Sequence, residues 1–335
     1  MASKRLITVK GNAQERGAQL ADQLSFEINS LLEQKKVKYA PAMNEVKSVL
    51  ECFENSVKTH TPICYQEIVS LAKQLNLDLY DLLLLSFEYE AWLEGNKEKC
   101  TGFYSRDTHG RLILGQTNDE DPEDWFSAKY DKVIHLTDEN NCKSFIYTHP
   151  GIPAYMGMNC HKLVVLWQYV DNAERNLLTG VPTTAIIREL LTKQTLSSAM
   201  EFLKNTPLAV PNNFILAQEG CGGINVECTP SRIVTKELQI DSFCHANHFL
   251  TDSELIKSDI GVKRPDSTSL TRQSEMESRF AAQKNKISID ETKNILKKYP
   301  ITYERTLASM VFLPSENAMH ILFKGSSSEY EVYKL

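Results

Sequence analysis

Apolar residues in the first part of the chain recur every three or four positions, which is the spacing of amphipathic helices. A short β-branched strand is predicted at residues 6–9, and Gly11 and Asn12 break it. We predict three or four helices over residues 11–94, the last one capped by Asp78 and ended at Gly95 and Asn96. Their apolar faces are formed by Leu20, Leu24, Ile28 and Leu31, by Val46, Val49, Leu50 and Phe53, by Ile68, Leu71, Ala72 and Leu75, and by residues 82–92.

After Lys99 the pattern changes to short apolar and β-branched runs that are typical of strands. The predicted strands are residues 101–106, 112–117, 132–136, 144–149, 163–169, 214–217, 224–227, 232–234, 307–313 and 319–324, and the predicted helices are 183–193, 196–204, 272–283 and 290–298. The turn residues 107–110 join the first two strands in a hairpin. This order predicts an α+β layered fold with largely antiparallel sheets. The change at residue 100 divides the chain into a helical segment, 1–99, and a second segment, 100–335.

Charge and motifs argue against several classes of function. With 37 Lys and Arg against 43 Asp and Glu, the net charge of −6 argues against a nucleic-acid partner, which needs a basic face. No apolar stretch approaches the ~20 residues that span a bilayer, so no membrane partner is expected. Because the start of the chain lacks an apolar signal segment and the eight cysteines form no CxxC pair, we predict a cytoplasmic location, with most thiols buried in the packing. No phosphate-binding glycine motif occurs, so no cofactor is expected.

Cys244, His245 and His248 lie close enough in the sequence to suggest a metal site. A zinc site needs further ligands, which usually come from a motif such as CxxC or HExxH. The sequence has neither motif, so we predict no metal and interpret both histidines as loop or core residues.

Cys100 opens the first strand of the hairpin, directly behind a polar loop. If the turn is centred between residues 108 and 109, Cys100 falls opposite Thr117, and Asp119 lies beside the thiol. A carboxylate does not activate a thiol, since like charge disfavours the thiolate, but it does stabilise a neighbouring cation. Cutting the bond between Lys99 and Cys100 would create that cation, because Cys100 would then carry a free α-amino group.

This arrangement predicts an N-terminal nucleophile. The thiol attacks the preceding carbonyl, an acyl shift from nitrogen to sulfur makes a thioester, and water releases the helical segment. The new amine, with a reference pKa of about 7.7 to 8.0, then takes the thiol proton in later turnovers. Cys100 thus supplies nucleophile and base, Asp119 orients the ammonium form, and an amide donor elsewhere is needed for the oxyanion.

Several segments resemble the acyl-CoA:6-aminopenicillanic acid acyltransferase family, which contains fungal isopenicillin N acyltransferase and insect β-alanyl-dopamine hydrolase. The matching segments are residues 11–20, 100–119, 157–159, 224–227, 244–249, 278–279 and the closing part from Thr306. Two positions depart from the family pattern. Lys99 stands where many relatives have glycine, which we expect to slow self-cleavage, and Thr117 stands at a position often held by asparagine.

The resemblance implies the N-terminal nucleophile hydrolase fold, a four-layer αββα sandwich with a helical N-terminal segment. It also implies self-cleavage into a heterodimer of the small chain 1–99 and the catalytic chain 100–335. Carried over residue by residue, it assigns Cys100 as the nucleophile, Asp119 as the aspartate after the hairpin, and Asn247 as the asparagine that helps to stabilise the oxyanion.

The implied substrate is a small N-acyl amide. Coenzyme A thioesters are the alternative acyl source, but we see no compact basic loop for the phosphates of coenzyme A, so amide hydrolysis is favoured over acyl transfer. The candidate substrate contacts are Thr101, Tyr155, His248, Arg279 and Arg305.

Two other hypotheses stay open at this stage. In one, Cys100 is an internal thiol that pairs with His245 or His248 in an uncleaved cysteine hydrolase. In the other, the chain is a non-catalytic binding protein on the same fold, and Lys99 is the sign of lost processing.

Overall fold

The N-terminal part is helical, as predicted. The computed structural model describes residues 4–91, 99–120, 129–239, 242–283, 287–326 and 328–335. The strand β1 (Leu6–Lys10) precedes α1 (Ala13–Tyr39), α2 (Met43–His60), α3 (Pro62–Leu75) and α4 (Leu79–Ala91). Asn12 and Glu15 form a capping box that starts α1, and the Asp78 carboxylate accepts from the Tyr80 amide at 2.8 Å where α4 begins. The predicted stop at Gly95 and Asn96 lies outside the described residues.

The remaining strands form two sheets. The strands are β2 (Lys99–Arg106), β3 (Leu112–Asp119), β4 (Lys132–Thr137), β5 (Lys143–Thr148), β6 (Met156–Asn159), β7 (Leu163–Tyr169), β8 (Asn212–Gln218), β9 (Gly222–Thr229), β10 (Arg232–Leu238), β11 (Phe243–His245), β12 (Thr306–Leu313), β13 (Ala318–Phe323) and β14 (Glu331–Lys334). One sheet has the order β1-β4-β5-β6-β7-β8-β9-β10, and the other has the order β11-β2-β3-β12-β13-β14. Within the described residues β1 pairs with β4 in parallel, and the other named strands pair antiparallel.

The two sheets face each other between two layers of helices. Gln116 of β3 crosses between the sheets, donating to the carbonyl of Trp167 in β7 and accepting from its amide. Beyond the eight-stranded sheet lie α1 to α4 with α5 (Thr183–Leu190) and α6 (Leu196–Asn205), while α8 (Ser269–Ala282) and α9 (Ile289–Ile295) cover the six-stranded sheet. The short helix α7 (Ser253–Ser258) follows β11. This confirms the predicted α+β class and the αββα layers.

The elements that the pattern missed are all short. They are β6, β11, α7 and β14, with three to six residues each. An apolar period cannot be recognised over so few positions, and β14 lies at a sheet edge where its side chains are partly exposed. The elements that were predicted have the expected type, and their ends differ from the predicted ends by a few residues.

The cysteines differ from the expectation in one respect. Cys142 and Cys160 form a disulfide that links the turn before β5 to the end of β6. Of the others, Cys64, Cys100, Cys228 and Cys244 are buried, whereas Cys52 is half-buried and Cys221 is exposed. Because disulfides are typical of oxidising compartments, the cytoplasmic prediction loses the support that it drew from the cysteines. No helix among the described residues is long and apolar enough to cross a membrane.

Candidate active site

Cys100 lies near the start of β2, with its side chain towards the eight-stranded sheet. Side chains along a strand alternate between its faces. At Gly102, two residues further on, a Cβ would lie 2.1 Å from Nε2 of Gln168 in β7, which fixes the face shared by residues 100 and 102. The side chain of Cys100 is buried, at 2% exposure. The thiol therefore points into the space between the two sheets.

The predicted register of the hairpin is wrong by one residue. Cys100 lies opposite Asn118 rather than Thr117, and Asp119 lies opposite Lys99. The reason is the loop, which has five residues because Asp107 organises it through Arg111. The Asp107 carboxylate accepts from the amides of His109 and Arg111 at 2.8 and 2.9 Å, and Gly110 takes a left-handed φ of +79°.

Asn247 and Arg272 hold the main chain of Cys100 from both sides. The amide nitrogen of Cys100 donates to Oδ1 of Asn247 at 2.9 Å. The buried guanidinium of Arg272 donates to the carbonyl of Cys100 at 2.5 Å, to the Thr101 hydroxyl at 2.6 Å and to Oδ1 of Asn247 at 2.6 Å. Asn247 is fixed in turn, since its Nδ2 donates to the carbonyl of Tyr169 at 2.9 Å. The structure thus brings Cys100, Thr101 and Asn247 together.

A buried acid and histidine pair holds the loop that carries Asn247. Oε1 of Glu227 lies 3.0 Å from Nε2 of His245, and the same carboxylate accepts from the amides of Leu250 and Thr251. Burial alone would raise the pKa of Glu227, but the hydrogen bond from His245 and the two main-chain donors outweigh it and lower that pKa. The Glu227 side chain therefore braces the turn on both sides of Asn247.

Asp119 lies at the end of β3, opposite Lys99. Because side chains alternate along a strand, it shares the face of Thr101 and Thr117 rather than that of Cys100, beside whose thiol it was predicted. Its Oδ1 accepts from the Thr306 hydroxyl at 2.6 Å, and its Oδ2 accepts from the Thr117 hydroxyl at 3.3 Å. The Thr117 hydroxyl also accepts from the amide of Thr101 at 3.1 Å. Thr117, which departs from the family pattern, therefore links Asp119 to the residue that follows Cys100.

His248 is buried beside this cluster as a neutral base. Its Nδ1 lies 2.7 Å from the hydroxyl of Ser269, the residue that also accepts from the amide of Asn247. Burial, the neighbouring His245 and the charge of Arg272 lower the pKa of His248 to about 4. The imidazole is therefore uncharged at neutral pH.

Of the other predicted substrate contacts, Arg305 is next to a residue of this cluster in the sequence, whereas Tyr155 and Arg279 contact residues outside it. Tyr155 is buried against the eight-stranded sheet, stacked on Trp167 with ring centroids 6.0 Å apart. Arg279 lies further along α8 and pairs with Glu275. Arg305 immediately precedes Thr306, and its carbonyl accepts from the amide of Glu120 at 3.1 Å.

Sequence reasoning missed Arg272, the residue that links the most groups in this cluster. The signal was present in the pattern of α8. Arg272 lies four residues before Met276 and eight before Phe280, so a charged residue occupies the apolar face of an amphipathic helix. A buried arginine needs several acceptors, and such a position therefore points to a polar cluster beneath the helix.

One group of metal-ligating side chains occurs among the described residues, and it lies away from Cys100. The ligand atoms of Cys142, Cys160 and His161 lie within 4.8 Å of one another. Two of the three are the sulfurs of the disulfide. His245 and His248, the pair that suggested a metal in the sequence, are engaged with Glu227 and Ser269 instead.

Comparison with known proteins identifies the family. The family described as acyl-coenzyme A:6-aminopenicillanic acid acyl-transferase matches residues 106–328, which is 223 of the 335 residues. The chain belongs to this family. The matched range includes Asp119, Asn247 and Arg272, and it begins six residues after Cys100. Membership indicates an amide hydrolase or acyltransferase of the N-terminal nucleophile type.

A comparison with solved structures supports the same fold. The Caenorhabditis elegans N-acylethanolamine-hydrolyzing acid amidase ortholog is similar with a TM-score of 0.53 and 15% identity, over 70% of this chain and 100% of that one. Conjugated bile acid hydrolase from Clostridium perfringens has a TM-score of 0.47 at 13% identity over 70% and 92% of the two chains. Penicillin V acylase from Agrobacterium tumefaciens has a TM-score of 0.46 at 13% identity over 70% and 84%. Of these three, we use the nematode protein for the fold assignment, because the other two scores are below 0.5.

Proposed function

We propose that this chain cuts itself between Lys99 and Cys100 and then acts as a cysteine N-terminal nucleophile amidohydrolase on a small N-acyl amide. The observation that carries the proposal is the pair of contacts on the main chain of Cys100. Its nitrogen donates to Asn247, and Arg272 contacts both its carbonyl and the same Asn247 oxygen. An ordinary strand residue bonds its main chain to neighbouring strands, whereas here side chains from a loop and a helix supply the partners.

Self-cleavage follows from the chemistry of the thiol. The sulfur of Cys100 attacks the carbonyl carbon of Lys99, the bond from that carbon to the nitrogen of Cys100 breaks, and the nitrogen takes up a proton. Water then hydrolyses the thioester, which leaves a carboxylate on Lys99 and a free amine and thiol on Cys100. The two products would be chains of 99 and 236 residues.

The exposed amine would then act as the base for turnover. It takes the proton of the Cys100 thiol, the thiolate attacks the carbonyl carbon of the substrate, and the leaving amine receives the proton as the amide bond breaks. Water hydrolyses the resulting thioester to a carboxylic acid. Asn247 would hold the amine through Oδ1 and offer Nδ2 to the oxyanion, and Asp119 would orient the ammonium form.

The first experiment determines the N-terminal residue of purified protein by Edman sequencing and the masses of its chains. We expect a species that begins Cys-Thr-Gly and is absent from Cys100→Ala. Cys100→Ser should process more slowly than the wild type, because a hydroxyl forms its anion far less readily than a thiol. An intact chain in the active wild type would instead support the uncleaved cysteine hydrolase.

The second experiment measures the amine released from a panel of N-acyl amines that includes β-alanyl and phenylacetyl amides. We expect turnover by the wild type and none by Cys100→Ala. The Cys244→Ala variant is the matched control, since Cys244 is also buried but lies in β11 against Gln273 of α8. The chain would be a binding protein on this fold if three results were all negative. These are self-cleavage, selective labelling of Cys100 by a thiol reagent, and turnover.

A further inference from the structure

A tyrosine beside Asp119 has a hydroxyl that no described residue satisfies. Tyr303 lies in the turn before β12, where its amide donates to the Thr306 hydroxyl at 3.1 Å and its carbonyl accepts from the Thr306 amide at 3.0 Å. The Thr306 hydroxyl donates in turn to Asp119 at 2.6 Å. The turn that holds Tyr303 is therefore anchored on the acid of the candidate active site.

The phenol oxygen of Tyr303 is buried, yet it has no hydrogen-bond partner among the described residues. Leaving a buried hydroxyl unsatisfied costs free energy, so the position of this group calls for an explanation. Burial, followed by the charge of Asp119, raises the pKa of Tyr303. The charges of Arg272 and Arg305 lower this pKa, but they do not outweigh burial. Tyr303 is thus a neutral phenol, able to donate, within the field of the candidate site.

We propose that Tyr303 is a specificity-determining residue whose hydroxyl donates a hydrogen bond to an acceptor oxygen of the bound substrate. This proposal rests on the function proposed above for Cys100. A site built to hydrogen-bond its substrate discriminates strongly, because a ligand without the acceptor leaves the buried donor unpaired. The acceptor that every N-acyl amide of the panel offers at the scissile bond is its carbonyl oxygen.

Tyr330 provides a matched control elsewhere in the molecule. Its phenol oxygen is also buried without a partner among the described residues, and burial raises its pKa as well. It lies against Lys293 and Lys297, whose ammonium groups are 5.5 and 5.3 Å from the ring centroid. Tyr303→Phe and Tyr330→Phe therefore remove the same kind of atom, from the site in one case and from the packing of α9 in the other.

The test compares the wild type, Tyr303→Phe and Tyr330→Phe. Binding is read from the rise in melting temperature that saturating phenylacetyl or β-alanyl amides produce, which needs no turnover. Turnover is read from the released amine, and self-cleavage from the N-terminal residue. We expect Tyr303→Phe to lose most of the rise in melting temperature and to raise KM at least tenfold. We expect its self-cleavage to be normal and Tyr330→Phe to match the wild type throughout.

Three results would overturn the proposal. The first is an equal rise in melting temperature for Tyr303→Phe and the wild type, and the second is no rise in the wild type with any amide of the panel. The third is a fall in kcat with KM unchanged and the pH profile displaced, which would mean that the phenol holds the amine of Cys100 instead. Failure of the proposed function is seen separately, as the absence of a chain that begins at Cys100.

Discussion

Glu67 and Asn247 are both contacted by buried arginines, but the charges in the two clusters are balanced differently. The Glu67 carboxylate receives Arg16 at 2.7 Å and Arg188 at 2.8 and 2.5 Å, so each guanidinium has a carboxylate partner. Arg272, in contrast, donates to neutral oxygens among the described residues: those of Cys100, Thr101, Asn247 and Thr268. Both clusters are buried, yet within the described part of the chain only in the first does each guanidinium contact a carboxylate.

This difference separates a structural cluster from a reactive one. Glu67 ties α1 and α3, which lie before residue 99, to Arg188 of α5, which lies after it. It would therefore hold the two chains together after the proposed cleavage. A buried cation with only neutral partners costs free energy, and it is useful where negative charge develops, as it does on the thiolate and the oxyanion of acyl transfer.

The largest expected effect is a loss of stability in the Glu67→Gln variant. Removing this charge leaves Arg16 and Arg188 buried without a carboxylate between them, so we expect the free energy of unfolding to fall by about 3 to 5 kcal/mol. Activity per folded molecule should stay unchanged. Denaturant unfolding followed by circular dichroism gives the stability, and released amine gives the activity.

Glu54→Gln is the control for that change. Glu54 is half-buried on α2 and accepts from the hydroxyls of Tyr65 and Tyr80 at 2.9 and 3.1 Å, and it forms no ion pair within the part of the chain that the structure describes. Its replacement should cost about 1 kcal/mol, because the glutamine oxygen still accepts one of the two hydrogen bonds and no cation is left unpaired. An equal cost for both variants would show that charge balance does not set the stability of the Glu67 cluster.

The next effect is on turnover, from Arg272→Met. If the unbalanced charge serves the reaction, its removal should lower kcat by about 10²- to 10³-fold, the usual cost of losing one oxyanion donor. Arg272→Lys keeps the charge but loses the planar pair of donors, so its kcat should lie between those of the wild type and Arg272→Met. Arg232→Met removes an exposed arginine on β10 that pairs with Asp252, and it should leave kcat unchanged. Normal turnover in Arg272→Met would make Arg272 a packing residue.

Periodicity predicted the structural part of this comparison better than the reactive part. The helices were predicted from the spacing of apolar residues such as Leu24, Ile28 and Leu71, because that spacing is a local property of the sequence. The hairpin register was missed by one residue, since it depends on how the Asp107 side chain closes the loop. Arg272 was missed because its partners lie about 25 and 172 residues away in the sequence. Contacts across such separations are set by the packing of layers and leave no local pattern.

Asp119→Asn is expected to have a smaller effect on turnover than Arg272→Met. Asparagine keeps the shape and still accepts from Thr306, so the fold should be retained, while the charge that orients the ammonium form is lost. We expect a loss of about tenfold in kcat, which corresponds to about 1.4 kcal/mol. The melting temperature should stay close to that of the wild type. A collapse in soluble yield with normal specific activity would instead make Asp119 a structural residue.

The smallest effect is a pH dependence of stability that arises beside Arg272. Burial first, and then His245 and Arg272, lower the pKa of His248 from 6.5 to about 4. Between these values the unfolded chain binds a proton that the folded chain does not, so the stability is present above pH 6.5 and is lost as the pH falls. From pH 7 to 5.5 we expect His248 to remove about 1 kcal/mol from the free energy of unfolding.

His320 is a control that separates the influence of Arg272 on the pKa of His248 from the influence of burial. Burial and then Lys293 and Lys334 lower its pKa to about 4 as well, far from the cluster at Cys100. His248→Gln and His320→Gln should each reduce the pH dependence of the free energy of unfolding by a similar amount. Arg272→Met should reduce only the part that His248 contributes, because removing the guanidinium lets the pKa of His248 rise. If Arg272→Met leaves that part unchanged, the charge of Arg272 does not affect the pKa of His248, and the contrast with the Glu67 cluster, where each guanidinium contacts a carboxylate, is weaker than the hydrogen bonds suggest.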